Sequence, residues 1–197
     1  MPKDSQKTPQ GFAVELYFDA KTEKSIFAFR DAFYKEGITP VLGSLGDRPH
    51  ISLAVFAEID QACLLDLTQE FAAKMSGFPV ELSAIGTFPT PDNVLFLIPV
   101  PTIRLLKTHR EFHEQLKCSA IRSSSYYHPG KWVPHCTIEF ELPDRQFTKA
   151  LKTAHQLFQP IKGEFHSLGI VSFRPIHYVS EYLFTKEEKN VKHPVST

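Results

Sequence analysis

The sequence is poor in cysteine, in tryptophan and in net charge, and each shortage excludes a class of protein. Three cysteines, Cys63, Cys118 and Cys136, stand among 197 residues. Their number is odd and no pair has CxxC or zinc-ligand spacing, so neither a disulfide framework nor a cysteine metal site is expected. Free buried thiols in a reducing compartment are the simplest expectation. Lysine plus arginine (22) balances aspartate plus glutamate (22). That leaves no strongly basic footprint for duplex DNA, while a small nucleotide or an RNA end needs only a local basic pocket. No apolar run approaches a membrane span. Met1–Gly11 is polar, without the apolar core of a signal peptide. The expectation is a cytoplasmic protein with no membrane partner, acting as a monomer.

What is present is an ordinary globular composition, 42% apolar and 22% charged, with seventeen phenylalanines supplying much of the core volume. Residues 1–10 and 187–197 read as loose ends around one domain spanning 11–185. Phe12–Phe18 reads as a strand. A helix capped by Thr22 runs to Gly37, with Ile26, Phe29 and Phe33 on one face. His50–Phe56 is a second strand. A helix over 60–75 follows with Cys63, Leu67 and Phe71 as its stripe, and then strands over 79–88 and 94–100. The second half repeats the order: a helix opened by Thr102, a polar loop over 119–133, a strand over 135–142, a helix begun by Pro143 and Asp144, and strands over 163–173 and 176–184.

The repeat can be followed residue by residue. At an offset of 85, Pro49 falls on Pro134, His50 on His135, Ser52 on Thr137, Ile85 on Ile170 and Phe88 on Phe173. The earlier strand and helix match at an offset near 80. Two copies, about 12–91 and 93–184, imply a pseudo-twofold α+β protein with two lobes and no flexible linker.

Of nine histidines, only His50 and His135 are followed two residues later by a hydroxyl, as His50-Ile51-Ser52 and His135-Cys136-Thr137. Each follows a proline, opens an apolar strand and holds the same place in its repeat. Side chains alternate faces along a strand, so each histidine shares a face with its hydroxyl residue. A twofold arrangement can bring both pairs to one groove. Imidazole titrates near neutrality, so a neutral ring can take a proton from water or a ribose hydroxyl while a charged ring gives one to the leaving oxygen. Ser52 and Thr137 can donate hydrogen bonds to the non-bridging phosphoryl oxygens, where charge builds in the transition state. This chemistry needs neither metal nor cofactor.

The paired motif resembles the two-histidine (2H) phosphoesterase superfamily, which includes 2′-5′ RNA ligase-like proteins and cyclic phosphodiesterases. The segment Tyr127-His-Pro-Gly-Lys-Trp-Val-Pro-His135-Cys-Thr137 is especially similar to the 2′-5′ RNA ligase-like branch. The resemblance covers about Gly11–Phe184. It implies a bilobal LigT-like α+β fold, with two antiparallel sheets lining a central groove and helices outside. It also implies a phosphoric diester hydrolase acting on 2′,3′-cyclic phosphates or 2′-5′-linked nucleotides and RNA ends. Ligation, degradation of cyclic oligonucleotides, or nucleotide binding with weak turnover are the alternative activities.

Four further residues are expected at the substrate: Tyr127 and Trp132 stacking on a base, Lys131 and Arg48 meeting a phosphate. The other reading of Trp132 is that it packs the loop against a lobe. Phe88 and Phe173 read as core. His109 and His113 have the four-residue spacing of a metal pair, but they fall on the apolar stripe of Leu105, Leu106, Phe112 and Leu116. They read as structural.

Overall fold

The computed structural model describes residues 11–185, so the expected loose ends lie outside the described residues. Seven strands, β1 (Gly11–Phe18), β2 (His50–Phe56), β3 (Phe78–Thr87), β4 (Leu95–Pro99), β5 (Cys136–Glu139), β6 (Ile161–Phe173) and β7 (His177–Leu183), alternate with helices. The helices are α1 (Ala20–Lys35), the one-turn α2 (Val41–Ser44), α3 (Gln61–Ala72), α4 (Ile103–Cys118) and α5 (Asp144–Leu157). The class is α+β, and every pairing between named strands is antiparallel.

The strand order is β2-β1-β6-β3-β4-β5, with β7 on β6. Exchanging β1 with β4, β2 with β5 and β3 with β6 reads this path backwards, so the sequence repeat is a symmetry of the sheet. The two halves also trade a strand. β1 takes β6 of the second half as its neighbour, and β4 takes β3 of the first. The thirteen-residue β6 pairs with β1 along one edge and with β3 and then β7 along the other, which joins the two lobes' sheets into one network.

The motif strands β2 and β5 stand at opposite ends of this path, yet they lie against each other. The sheet therefore curls until its ends meet. The core fills the face covered by the helices: Val14, Leu16, Ile26, Phe33, Ile51, Leu53, Phe112, Ile138, Phe165 and Ile170 are all fully buried. Each such side chain contributes about 1.5–3 kcal/mol relative to exposure. Phe18, Phe78 and Phe165 pack ring against ring, at 5.2 and 5.0 Å between centroids.

Several local expectations are corrected. Asp19, not Thr22, caps α1, accepting from the amides of Lys21 and Thr22. The buried stripe of α3 is Leu64, Leu67, Thr68, Phe71 and Ala72, so Leu67 and Phe71 face inward as expected while Leu64 takes the place expected of Cys63, which faces solvent. Cys118 is exposed too, and only Cys136 is a buried thiol. Strand β5 ends at Glu139 rather than 142, because β4 is its single partner and Glu141 turns at φ 54°. Among the described residues no helix is long and apolar enough to cross a membrane.

Candidate functional site

The alternation expected of the two motifs holds. In β2, Ile51 and Leu53 are wholly buried while His50 and Ser52 face outward. In β5, Cys136 and Ile138 are buried while Thr137 faces outward beside His135. The curl of the sheet brings His50, His135 and Thr137 to the walls of one groove of about 380 Å³. Ser52 stands outside the residues lining that groove, with the Tyr127 side chain near it.

The two imidazoles are held alike. His50 Nδ1 lies 2.7 Å from the Arg48 carbonyl, and His135 Nδ1 lies 2.7 Å from the Val133 carbonyl. A carbonyl only accepts, so in both rings Nδ1 carries the proton and Nε2 is left for chemistry. The prolines at 49 and 134 restrict the residues before them to extended backbone, which suits these turned-back bonds.

Around this shared geometry the surroundings differ. Across the ladder from Ser52 is Glu15, and across from Thr137 is Phe96. Glu15 Oε1 sits 3.3 Å from His50 Nε2, and Asp47 Oδ1 lies 3.5 Å from His50 Nδ1. His135 instead meets the rings of Phe88 and Phe96, at 5.0 and 5.1 Å. Burial works against a charge on His50, but Glu15, Asp47 and the Arg48 carbonyl outweigh it and raise its pKa. Burial lowers that of His135, and the nearby His50 lowers it further against the opposing Val133 carbonyl. Glu15 is itself buried, accepts from the Tyr17 hydroxyl at 2.8 Å, and is pushed up to about 7, chiefly by desolvation. A glycine makes room in each lobe: a Cβ at Gly169 would come within 2.2 Å of the Tyr17 ring, and one at Gly86 within 2.4 Å of Phe96.

The expected substrate contacts fare unequally. Arg48 is paired with Glu23 at 2.5 Å and Glu181 at 2.9 Å and lies over the Tyr17 ring, so its charge is already matched. Trp132 donates its indole N–H to the Ser52 carbonyl at 3.0 Å and stacks flat on His109 at 3.9 Å, as the packing reading has it. Lys131 is exposed in the adjoining turn. Tyr127 is half-buried beside Ser52. His109 and His113 are buried, each with Nε2 bonded to a carbonyl, of Tyr127 and Leu53 respectively. They brace the 119–133 loop along β2. Among the described residues no three His, Cys, Asp or Glu side chains form a metal-binding group.

Sequence reasoning missed several residues, among them Asp47, which lines the groove beside His50. Arg174 reaches the groove from the turn after β6, bound to Glu141 at 3.0 Å, and no local pattern marks it. Phe88, read as core, lines the groove against His135 because it lies just past the end of β3. Glu15 and Arg30 did carry a signal: each is a charged residue inside an apolar run or on an apolar stripe.

Two histidines, one opening β2 and one just before β5, stand over one groove of an α+β fold. The model of the 2′-5′ RNA ligase superfamily matches residues 24–175, more than half of the chain. The chain belongs to that superfamily. Solved structures give the same fold. Escherichia coli LigT complexed with 3′-AMP has a TM-score of 0.61 at 16% identity over 91% of this chain and all of that one. TT0787 of Thermus thermophilus has a TM-score of 0.56 at 16% identity, covering 90% of this chain and 100% of its own. Usb1 of Kluyveromyces marxianus has 0.51 at 11% identity, covering 90% and 99%. Against curated proteins the sequence finds no match.

Proposed function

We propose that this protein is a metal-independent phosphodiesterase that opens 2′,3′-cyclic phosphates or cleaves 2′-5′-linked nucleotides and RNA ends, with His50 and His135 as its acid–base pair. One observation carries the reading: both rings are anchored through Nδ1 to the carbonyl two residues upstream and line the same groove with Thr137. Fixing one nitrogen sets the tautomer and presents the other to the substrate. The Thr137 hydroxyl is placed to donate to a non-bridging phosphoryl oxygen. Arg174 lines the groove wall, paired with Glu141 at 3.0 Å but with its side chain 58% exposed, so a phosphate can share its guanidinium, and Phe88 offers a ring for a base or ribose. LigT has been crystallised with 3′-AMP, with ATP and with NADP+, which supports a small nucleotide as the ligand class here. A monomer acting in the cytoplasm is part of the same reading.

The test is a panel of 2′,3′-cyclic mononucleotides, 2′-5′ oligoadenylates and RNA with cyclic phosphate ends, each run with and without excess chelator. Turnover of at least one class, unaffected by chelator, is expected. Turnover lost in chelator and restored by a divalent ion would overturn the mechanism. No turnover of any class would overturn the function.

A further inference from the structure

The repeat makes the two histidines equivalent in position, and the residues facing them make them chemically unequal. Across the ladder, Glu15 and Phe96 hold matching places beside Ser52 and Thr137. One is a carboxylate 3.3 Å from the reactive nitrogen of His50, and the other is a phenyl ring 5.1 Å from His135. We propose that Glu15 assigns the roles: the Glu15–His50 pair retains a proton that His50 delivers as the general acid, while His135, walled by Phe88 and Phe96, stays neutral as the general base. This rests on the phosphodiesterase reading above.

The groups facing each ring support the division. His50 meets Glu15 from β1, Asp47 from the turn before β2, and the main chain of Arg48, which places two carboxylates within 3.5 Å of its nitrogens. The positive neighbours of His50 are themselves matched: Arg30 by Asp47, Arg48 by Glu23 and Glu181. His135 has two rings and its own upstream carbonyl. The remaining charged groups on the groove wall are Asp92 and the Arg174–Glu141 pair. A carboxylate beside an imidazole favours its charged form, and apolar walls favour the neutral one. The 3.3 Å separation from Glu15 is longer than the roughly 2.7–2.9 Å of an aligned charge-assisted bond. The Nε2 proton therefore stays available for transfer.

The step balances on these residues. His135 Nε2 takes a proton from water as the water oxygen bonds to phosphorus. The bond from phosphorus to the 2′ or 3′ oxygen breaks, and that oxygen takes the Nε2 proton of His50. A phosphate monoester leaves, and the two rings exchange their protons with solvent to reset. Glu15 touches no reacting atom and acts only through His50, so it is a positioning residue.

Site-resolved imidazole NMR titration of the full chain tests this, with His50→Ala and His135→Ala spectra assigning the resonances. In the wild type His50 should titrate at higher pH than His135. Glu15→Gln keeps the shape and removes the charge, so it should lower the His50 midpoint by about 1–2 pH units and leave His135 nearly in place. On an active substrate it should move the alkaline limb of kcat/KM to lower pH, with Glu15→Asp recovering part of the shift. His135 titrating above His50, or a His50 midpoint unmoved in folded Glu15→Gln, overturns the proposal. Should Glu15→Gln fail to fold, the wild-type order alone decides. The titration needs no turnover. A panel without activity therefore defeats the proposed function while this order stands, and turnover with the order reversed defeats only the assignment.

Discussion

Arg30 donates through Nη2 to the main-chain oxygen of Thr137 at 2.7 Å, from a helix in the other half of the sequence. The same guanidinium holds the Asp47 carbonyl at 3.1 Å and its carboxylate at 3.3 Å. Asp47 lies three residues before His50, so one side chain, 2% exposed, ties together the approaches to both motifs. No strand ladder joins β2 to β5. The register of the groove therefore depends on this bridge, and on Tyr34 and the Leu42 amide, which hold the buried Glu139 of β5.

Arg30→Met keeps the bulk and removes the donors. It strands the Asp47 carboxylate, whose side chain is only 8% exposed. Breaking a buried pair from one side costs about 3–5 kcal/mol. The expected result is a lower urea midpoint with an unchanged slope, together with a loss of turnover. Arg30→Lys restores charge without the fork and should fall between the two. A midpoint equal to wild type in Arg30→Met would show that the bridge does not hold the groove.

Acid should loosen the 119–133 loop before the rest of the fold. His109 faces His113 and Trp132, with His128 beyond, and burial pushes its pKa down to about 4. A buried imidazole with a depressed pKa binds fewer protons folded than unfolded. Its contribution is therefore complete above the ordinary value of 6.5 and is lost as pH falls towards 4. The loss is on the order of 3 kcal/mol. Urea midpoints at pH 7 and pH 5 should differ clearly in the wild type and less in His109→Phe, which cannot titrate. An equal difference in both proteins would remove His109 as the cause.

Much of the fold could be read from short-range pattern. Strand β2, the Thr102 cap of α4 and the Pro143 start of α5 stand where alternation and capping put them, and β5 begins within one residue of its expected start but ends three early. What could not be read is long-range. The exchange of β3 and β6 between halves is a choice of partner, and no segment's own periodicity records it. In the stripe of α3 only Cys63 was misplaced, because it is as apolar as Leu64 beside it, which is the buried residue. The groove's histidines were legible because the repeat doubled the signal. Arg174 and Phe88 were not, since a turn and a strand's end bring them in from distant sequence. Glu15 lies in FAVELYF as a lone charge, and its burial could have been questioned on that ground alone.

The single tryptophan of the chain is engaged as structure, so its removal should register in stability rather than in affinity. Trp132→Phe keeps the stacking on His109 and loses the bond to the Ser52 carbonyl. A lost hydrogen bond costs about 0.5–1.5 kcal/mol. The urea midpoint should fall accordingly, with KM for the best nucleotide within about twofold of wild type. A tenfold rise in KM at unchanged stability would return Trp132 to the substrate site.

The two hydroxyl residues share a motif position and should not share a phenotype. Thr137 lines the groove with both histidines, whereas Ser52 lies outside that lining beside Tyr127. A donor aimed at a phosphoryl oxygen acts only where the charge develops, so removing it should lower kcat more than it raises KM. Thr137→Ala is expected to reduce kcat by about 10–10³-fold. Ser52→Ala should cost less, since the Ser52 side chain lies outside the groove lining. His50→Ala and His135→Ala set the scale at about 10²–10⁴-fold each, and the double variant should be little worse than either because the pair acts as a unit. The measurement is steady-state kinetics on the substrate found in the panel, with circular dichroism confirming that each variant is folded. Equal losses for Ser52→Ala and Thr137→Ala would mean that substrate draws β2 further into the groove than it stands in the free protein. A larger loss for Ser52→Ala would place the phosphoryl group on the other side of the groove, against Tyr127.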